Sequence, residues 1–324
     1  MFTKLIDALK ATRRTIVFTE GPDTRILEAA DRLIKDDLMN VILIGNVDEV
    51  KAAAEKGGFD IAKAEIIDPA TYAGMDEMVA KMVELRKGKM SEEDCRKALA
   101  KGNYFGTMLV KMGKADCLLG GATYSTADTV RPALQLIKTN PGNKIVSSCF
   151  IMVRPAASGE NEVLAMADCA INIKPNEDEL VEICKETVSC AKIFGVDPKV
   201  AFLSYSTLGS GKGEDVDKMR NACEKAKALM PDTPIGGEFQ FDAAVSPAVA
   251  KTKHITDAVG GHANTFIFPD INAGNIGYKI AQRLGNFAAY GPILLGLNAP
   301  INDLSRGCNA QEVYSMAIIT AALA

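Results

Sequence analysis

The chain has 324 residues, 48% of them hydrophobic and 24% charged, with a formal net charge of −4. That length points to two domains, and the acidic balance gives no electrostatic case for a nucleic-acid partner. No apolar run reaches the roughly 18 residues that a membrane span needs, and the N-terminus MFTKLIDALKATRR lacks the unbroken apolar core of a signal peptide, so a cytoplasmic protein with no membrane partner is expected.

Thr15 to Thr19 reads as a buried strand, and Gly21-Pro22-Asp23 turns it into a helix reaching about Asp37, with Ile26, Ala29, Ala30, Leu33 and Ile34 on one face. Asn40 to Ile44 is a second strand, Asp48 to Lys56 a helix stopped by Gly57-Gly58, Ala64 to Asp68 a third strand and Glu77 to Lys87 a helix. Ser91-Glu-Glu-Asp94 has capping-box spacing and opens further helix towards Met112. Ala115 to Leu119 is a strand broken by Gly120-Gly121, and a helix follows over 127–138. This βαβα rhythm predicts a mostly parallel sheet covered by helices on both faces. From Lys144 the pattern changes: two apolar runs, Lys144 to Val153 and Glu162 to Ile173, are joined by a short Pro/Gly/Ser-containing loop with no helix between, as in a hairpin. A boundary falls near Gly142-Asn143. Helices are then predicted from Pro175 to Gly195, over Glu214 to Met230, up to Lys251 and over Gly274 to Leu284, separated by strands at Lys199 to Ser206, near Phe239 and at Thr265 to Phe268. Tyr290 to Leu297 is the last strand, and the apolar helix Asn309 to Leu323 is buried in a core or an interface.

The eight cysteines are scattered singly with no CxxC pair, and there are only two histidines, which argues against a metal cluster. Unpaired thiols fit a reducing compartment. Ser204 to Gly213 (SYSTLGSGKG) follows a strand and precedes a helix, so its glycines and Lys212 can cradle a phosphate or simply connect. Its spacing is not that of a Walker A loop, and no GxGxxG follows a strand elsewhere. Phe268 to Gly277 gathers Asp270, Asn272 and Asn275 at a helix start, where a ligand site or a cap by Asn272 both fit. Arg131 stands beside the hydroxyl-rich segment Ser125-Thr126-Ala-Asp128-Thr129, a junction suited to an anion, and Arg86 and Arg283 lie near helix ends.

The stretch Gly296 to Cys308 (GLNAPINDLSRGC) concentrates the chemistry. It places a hydroxyl, a guanidinium and a thiol at Ser305, Arg306 and Cys308, followed by a carboxylate, Glu312. Asn309-Ala-Gln-Glu312 also matches a capping box, so Glu312 is open to a role as base, cap or both. Cys308 sits where a helix N-terminus and Arg306 can lower a thiol pKa, yet no histidine lies near it in sequence to act as a base.

Four segments, FLSYSTLGSGKG (202–213), GEFQFDAA (237–244), FPDINAGNIGYKIAQRLG (268–285) and YGPILLGLNAPINDLSRGC (290–308), together resemble the phosphate acetyltransferase family, and a fainter match at Arg86 and 125–131 extends the resemblance over the whole chain. The resemblance implies a two-domain α/β protein of isocitrate/isopropylmalate dehydrogenase-like architecture, with domains at 1–145 plus 298–324 and at 146–297, an interdomain cleft and a homodimer. It implies reversible transfer of acetyl between coenzyme A and phosphate, with acetyl phosphate, CoA and phosphate as the partners and no permanently bound cofactor or metal. Arg306 and Ser305 match the residues that stabilise the oxyanion and leaving phosphate. Arg86, Arg131 and Arg283 match ligand-binding arginines, and by the same resemblance Ser125, Thr129, Tyr290 and Cys308 are expected to line the substrate site. The family's catalytic base is an Asp where this chain has Glu312, a change of one methylene. Alternatives are a phosphate butyryltransferase, an NAD(P)- and metal-dependent decarboxylating dehydrogenase, or a non-catalytic sensor on the same fold.

Overall fold

The computed structural model describes residues 2–156 and 159–324 and divides the chain into two units: Gly142–Gly296 is inserted into a split unit made of Phe2–Pro141 and Leu297–Ala324. The first part of the split unit runs α1 (Phe2–Ala11), β1 (Thr15–Phe18), α2 (Thr24–Lys35), β2 (Asn40–Ile44), α3 (Val47–Gly57), β3 (Glu65–Ile67), α4 (Met75–Arg86), α5 (Glu92–Leu99), α6 (Gly102–Lys111), β4 (Cys117–Gly120) and α7 (Thr126–Pro132). The inserted unit runs β5 (Ser147–Pro155), β6 (Asn161–Ala167), α8 (Glu177–Ile193), β7 (Val200–Leu203), α9 (Glu214–Leu229), β8 (Ile235–Phe239), α10 (Phe241–Val245), α11 (Pro247–Thr252), β9 (Thr265–Ile267), α12 (Ile271–Leu284) and β10 (Ala288–Leu295). The chain then returns to the split unit as β11 (Ile301–Asp303) and α13 (Ala310–Ala322).

The sheet of the split unit has the order β11-β4-β1-β2-β3, every pair parallel. Helices cover both faces, so its central strands are apolar throughout: Ile16, Val17 and Phe18 are wholly buried, as is Leu119. From β1 the chain proceeds outward through β2 and β3, then crosses back to lay β4 and β11 on the other side. The switch of direction between β1 and β4 opens a crevice at their carboxyl ends, the usual ligand position in such sheets. α13 is packed on α1, α2 and β4, with Val313, Met316, Ala317, Ile318 and Ile319 buried. Of the two readings for that apolar helix, the structure selects a core.

Three local differences from the sequence reading in the split unit have physical causes. The helix expected from Ser91 to Met112 is two helices. α5 opens on the Ser91/Asp94 capping box, and the chain restarts at Gly102, where a Cβ would collide with the carbonyl of Thr19. The helix over 127–138 widens into a π-turn at Ala133–Ile137 after Pro132. Proline has no N–H for the Asp128 carbonyl, and Asn103 Nδ2 supplies that bond instead at 2.8 Å. β11 has no counterpart among the predicted strands, because its polar residues Asn302 and Asp303 hide a strand whose side chains are satisfied by hydrogen bonds with Thr320, Thr126 and Thr129.

The sheet of the inserted unit has the order β10-β5-β6-β9-β7-β8. β5 is antiparallel to both β6 and β10, while β6, β9, β7 and β8 are parallel. The hairpin read from the two apolar runs is therefore β5–β6. Residues 157 and 158 of the loop expected to join them lie outside the described residues. The helix expected to end at Lys251 is split between α10 and α11, with Ser246 capping α11 and Pro247 at its start, where the missing N–H costs nothing.

Candidate active site

The crevice at the carboxyl ends of β1, β4 and β11 is built by hydroxyls and carboxylates that the parallel strands deliver to one edge. Glu20, just past β1, accepts from the Gly121 and Thr123 amides at 3.1 and 3.0 Å and from the Thr19 hydroxyl at 2.7 Å. Thr19 Oγ1 also pairs with the Tyr124 hydroxyl at 2.8 Å. Burial pushes the Glu20 carboxyl above its ordinary range, with these hydrogen bonds opposing. Asp303, at the end of β11, accepts from Thr126 and Thr129 at 2.6 Å each. Its pKa is also raised by burial, opposed by those threonines and by the charge of Arg306. The double glycine read as a strand breaker has a second purpose. A Cβ on Gly120 would strike the Thr19 and Tyr124 hydroxyls, and one on Gly121, at φ +100°, would strike the Asp303 carboxylate.

Beyond Asp303 the chain makes the turn Ser305–Cys308. Leu304 N donates to Gly120 O at 2.7 Å, and Cys308 N to Ser305 O at 2.9 Å. Ser305 Oγ accepts from Gly307 N at 3.2 Å, which leaves its own proton to donate elsewhere. The Arg306 side chain is exposed and makes no hydrogen bond or ion pair with the described residues. Its main chain is held by Arg25, a residue that the sequence reading passed over. Arg25 Nη1 donates to Arg306 O at 2.8 Å and to Cys308 O at 3.2 Å, and Nη2 donates to Ala122 O at 2.9 Å. Asp23 takes the remaining N–H groups at 3.0 and 2.8 Å.

The capping box at α13 is present: Asn309 Oδ1 accepts from Glu312 N, and Glu312 Oε2 from Asn309 N, both at 2.9 Å. Glu312 is exposed, and the cap uses Oε2, leaving Oε1 outside the box. Cys308 is buried, and burial pushes its thiol up while Arg25 pulls it down. The lowered pKa considered for Cys308 is therefore corrected: desolvation outweighs its cation, and that cation is Arg25 instead of Arg306.

The remaining sequence candidates are distributed as follows. Ser125 starts α7 and donates to Asp128 at 2.7 Å. Thr129 is 1% exposed with its hydroxyl committed to Asp303, so it supports that carboxylate. Arg131 is largely exposed, 3.7 Å from Asp128. Arg86, on α4, donates to Gln135 O at 3.4 Å and has a buried Nε with no partner. Both arginines exert their charge on Tyr104, whose hydroxyl donates to Gln135 at 2.9 Å, so the structure gathers them on one side of the split unit. Arg283 and Tyr290 belong to the inserted unit. Arg283 is exposed in the last turn of α12, and Tyr290 is half-buried in β10, where burial raises its pKa.

Two motifs of the inserted unit resolve differently from their first reading. The glycine loop at 204–213 wraps around an anion of the protein itself: buried Glu238 accepts from Gly209 N at 2.7 Å, Ser206 Oγ at 2.9 Å and Arg220 Nε at 3.1 Å. The helix after it begins with Glu214, Asp215 and Asp217, which disfavours a phosphate there. At α12 the cap is Asp270, not Asn272: Asp270 Oδ1 accepts from Ala273 N at 3.0 Å, while Asn275 Nδ2 donates to Cys169 O at 3.0 Å.

Among the described residues no group of three or more His, Cys, Asp or Glu side chains is placed to hold a metal ion. The edge offers instead an unengaged guanidinium and a hydroxyl proton on a braced turn, with a carboxylate one helical turn on. These are donors for a developing oxyanion and an acceptor for a proton.

The family model for phosphate acetyl/butaryl transferase matches residues 1–321. The phosphate acetyltransferase of Bacillus subtilis (strain 168) is 54% identical over 309 residues, covering 95% of this chain and 94% of the relative. The crystal structure of a phosphotransacetylase from Streptococcus pyogenes superposes with a TM-score of 0.95 at 53% identity, covering 99% of this chain and 97% of the other. A putative 4-hydroxythreonine-4-phosphate dehydrogenase from Salmonella typhimurium, at 14% identity and a TM-score of 0.55 over 97% of this chain and 100% of the other, shares the fold alone.

Proposed function

Because the chain belongs to the phosphate acetyl/butaryl transferase family, we propose that it transfers an acetyl group reversibly between coenzyme A and phosphate. The observation that carries the site assignment is the Ser305–Arg306 pair at the carboxyl end of β11, with the guanidinium unengaged and the hydroxyl proton undirected by the protein. In the direction of thioester formation, Glu312 takes the proton of the CoA thiol and the thiolate attacks the carbonyl carbon of acetyl phosphate. The carbonyl oxygen becomes an oxyanion beside the Ser305 O–H and the Arg306 guanidinium. The carbon–oxygen bond to phosphate then breaks, and phosphate leaves against the charge of Arg306. Fixed donors of this kind contribute about 10²–10³-fold each, and a positioned base about 10²–10⁴-fold.

Arg86 and Arg131 are assigned to the phosphate groups of CoA, with Ser125, Arg283 and Tyr290 as further substrate contacts and Cys308 as a wall of the acetyl site. Thr129 acts through Asp303. The reaction requires CoA only as a substrate, with no resident cofactor. We propose a homodimer, supported by Ile276, Ile280 and Leu284, which leave an apolar stripe of α12 exposed at spacing i, i+4, i+8. A reducing, cytoplasmic setting is supported by the eight free thiols.

The test is direct: protein, CoA and acetyl phosphate are mixed and thioester absorbance is followed, then the assay is repeated with butyryl phosphate. Acetyl phosphate is expected to give the higher kcat/KM, as the names of the relatives at 54% and 53% identity suggest. Absence of thioester with either donor refutes the proposal.

A further inference from the structure

We infer that Arg25 is a positioning residue that sets the Ser305–Cys308 turn in register with the loop after β4. The inference rests on the proposed roles of Ser305 and Arg306. A guanidinium carries five N–H donors in a rigid fork, and all five of Arg25 are committed to protein: two to Asp23, two to the carbonyls of Arg306 and Cys308, and one to the carbonyl of Ala122. No donor remains for a substrate, so any effect of Arg25 on turnover passes through the backbone that it holds. It lies in the first turn of α2, 281 and 283 residues before the two carbonyls that it holds. Asp23 caps the same helix through the Arg25 amide at 2.9 Å and orients the fork. The Arg25 and Asp23 side chains are only 28% and 15% exposed, so this brace is shielded from competing water.

Apart from those to Arg25, the hydrogen bonds of the turn itself are local among the described residues: Cys308 N to Ser305 O and Gly307 N to Ser305 Oγ. These fix its internal shape but not its position against the Gly120–Thr123 loop. Arg25 supplies that long-range link, together with the Leu304 amide on Gly120 O. Lysine has three donors around one point and no planar fork. It can pair with Asp23 but cannot reach both carbonyls of the turn and Ala122 together.

The experiment compares wild type with Arg25→Lys and Arg25→Gln by steady-state thioester formation, normalised to folded protein, and by amide hydrogen exchange. The expected result is a kcat lowered roughly 10²-fold in both variants, the penalty for a misplacement of about 1 Å, with a smaller change in KM. Exchange should be faster at residues 305–308, while the strands of the sheet stay protected. An Arg25→Lys variant with kcat within twofold of wild type overturns the inference, as does a loss accounted for by unfolded protein alone. The exchange measurement needs no turnover. If the wild type makes no thioester, the proposed function fails, whereas unchanged exchange at 305–308 in Arg25→Lys overturns the brace whatever the activity.

Discussion

Glu312 caps α13 and is also the proposed base, and a substitution series separates the two roles. Glutamine at the third helical position can still accept from the cap amide, as glutamate does, but it cannot take a proton from a thiol. Glu312→Gln should therefore keep the α13 cap and lose the base, while Glu312→Ala loses both. The cap component is small. Alanine removes one bond, Glu312 Oε2 to the Asn309 amide at 2.9 Å, and leaves the reciprocal one from Glu312 N to Asn309 Oδ1. That is about 1 kcal/mol, a shift of a few degrees in melting temperature. The chain contains its own control at α8, where Asn176 and Glu179 make the same box at 3.0 and 2.8 Å. Glu179→Gln should leave turnover unchanged. The base component is larger: kcat should fall about 10²–10⁴-fold in Glu312→Gln and Glu312→Ala, far more than KM changes. Aspartate also fits such a box, as Ser91 and Asp94 show at α5, so Glu312→Asp should keep the cap and retain or raise kcat. The assay is thioester formation at saturating CoA and acetyl phosphate, with thermal unfolding run on the same samples. Near wild-type kcat in Glu312→Gln or Glu312→Ala would reduce Glu312 to a helix cap and move the base elsewhere.

Cys308→Ala should keep kcat within a few-fold of wild type in the same assay, since burial pushes its thiol up and the proposed reaction uses the CoA thiol instead. A loss approaching that of Glu312→Ala would make Cys308 a participant. Gly121→Ala combines a positive φ with a collision against Asp303, and each such strain costs about 1–3 kcal/mol. Denaturant unfolding should show that loss, together with a fall in kcat as Asp303 and the following turn shift. The Glu20 carboxyl is raised above 4.5 in the folded protein, so the folded state holds that proton to higher pH than the unfolded chain. Its contribution to stability is present below pH 4.5 and is lost as pH rises through the folded value. Melting temperatures of wild type and Glu20→Gln, measured from pH 4 upward, should therefore diverge in favour of the variant as pH rises; a constant difference would contradict the raised pKa.

Much of the split unit could be read from its apolar periodicity. Ile16 to Phe18 and Val41 to Ile44 are continuous apolar runs because both faces of a parallel sheet are covered, and Ile26, Ala29, Ala30 and Leu33 trace the buried stripe of α2. β11 escaped for the opposite reason. Its burial is satisfied by side-chain hydrogen bonds, so Asn302 and Asp303 look like turn residues until their threonine partners are located in space. The arginines show the same limit. Arg306 stood out in its motif, but Arg25 looks like an ordinary helix residue paired with Asp23, and its other partners, Ala122, Arg306 and Cys308, come from distant loops. The glycine loop was legible as an anion cradle in form. That the anion is Glu238 depended on pairing β7 with β8, a non-local fact. The capping box at α13, being wholly local, was readable in full.

The most direct measurement of the central claim is kcat for thioester formation from acetyl phosphate and CoA by Arg306→Gln against wild type. With the fold unchanged, loss of the unengaged guanidinium should lower kcat about 10²–10³-fold. A variant that turns over within a few-fold of wild type would contradict the assignment of the Ser305–Arg306 turn as the site of acetyl transfer.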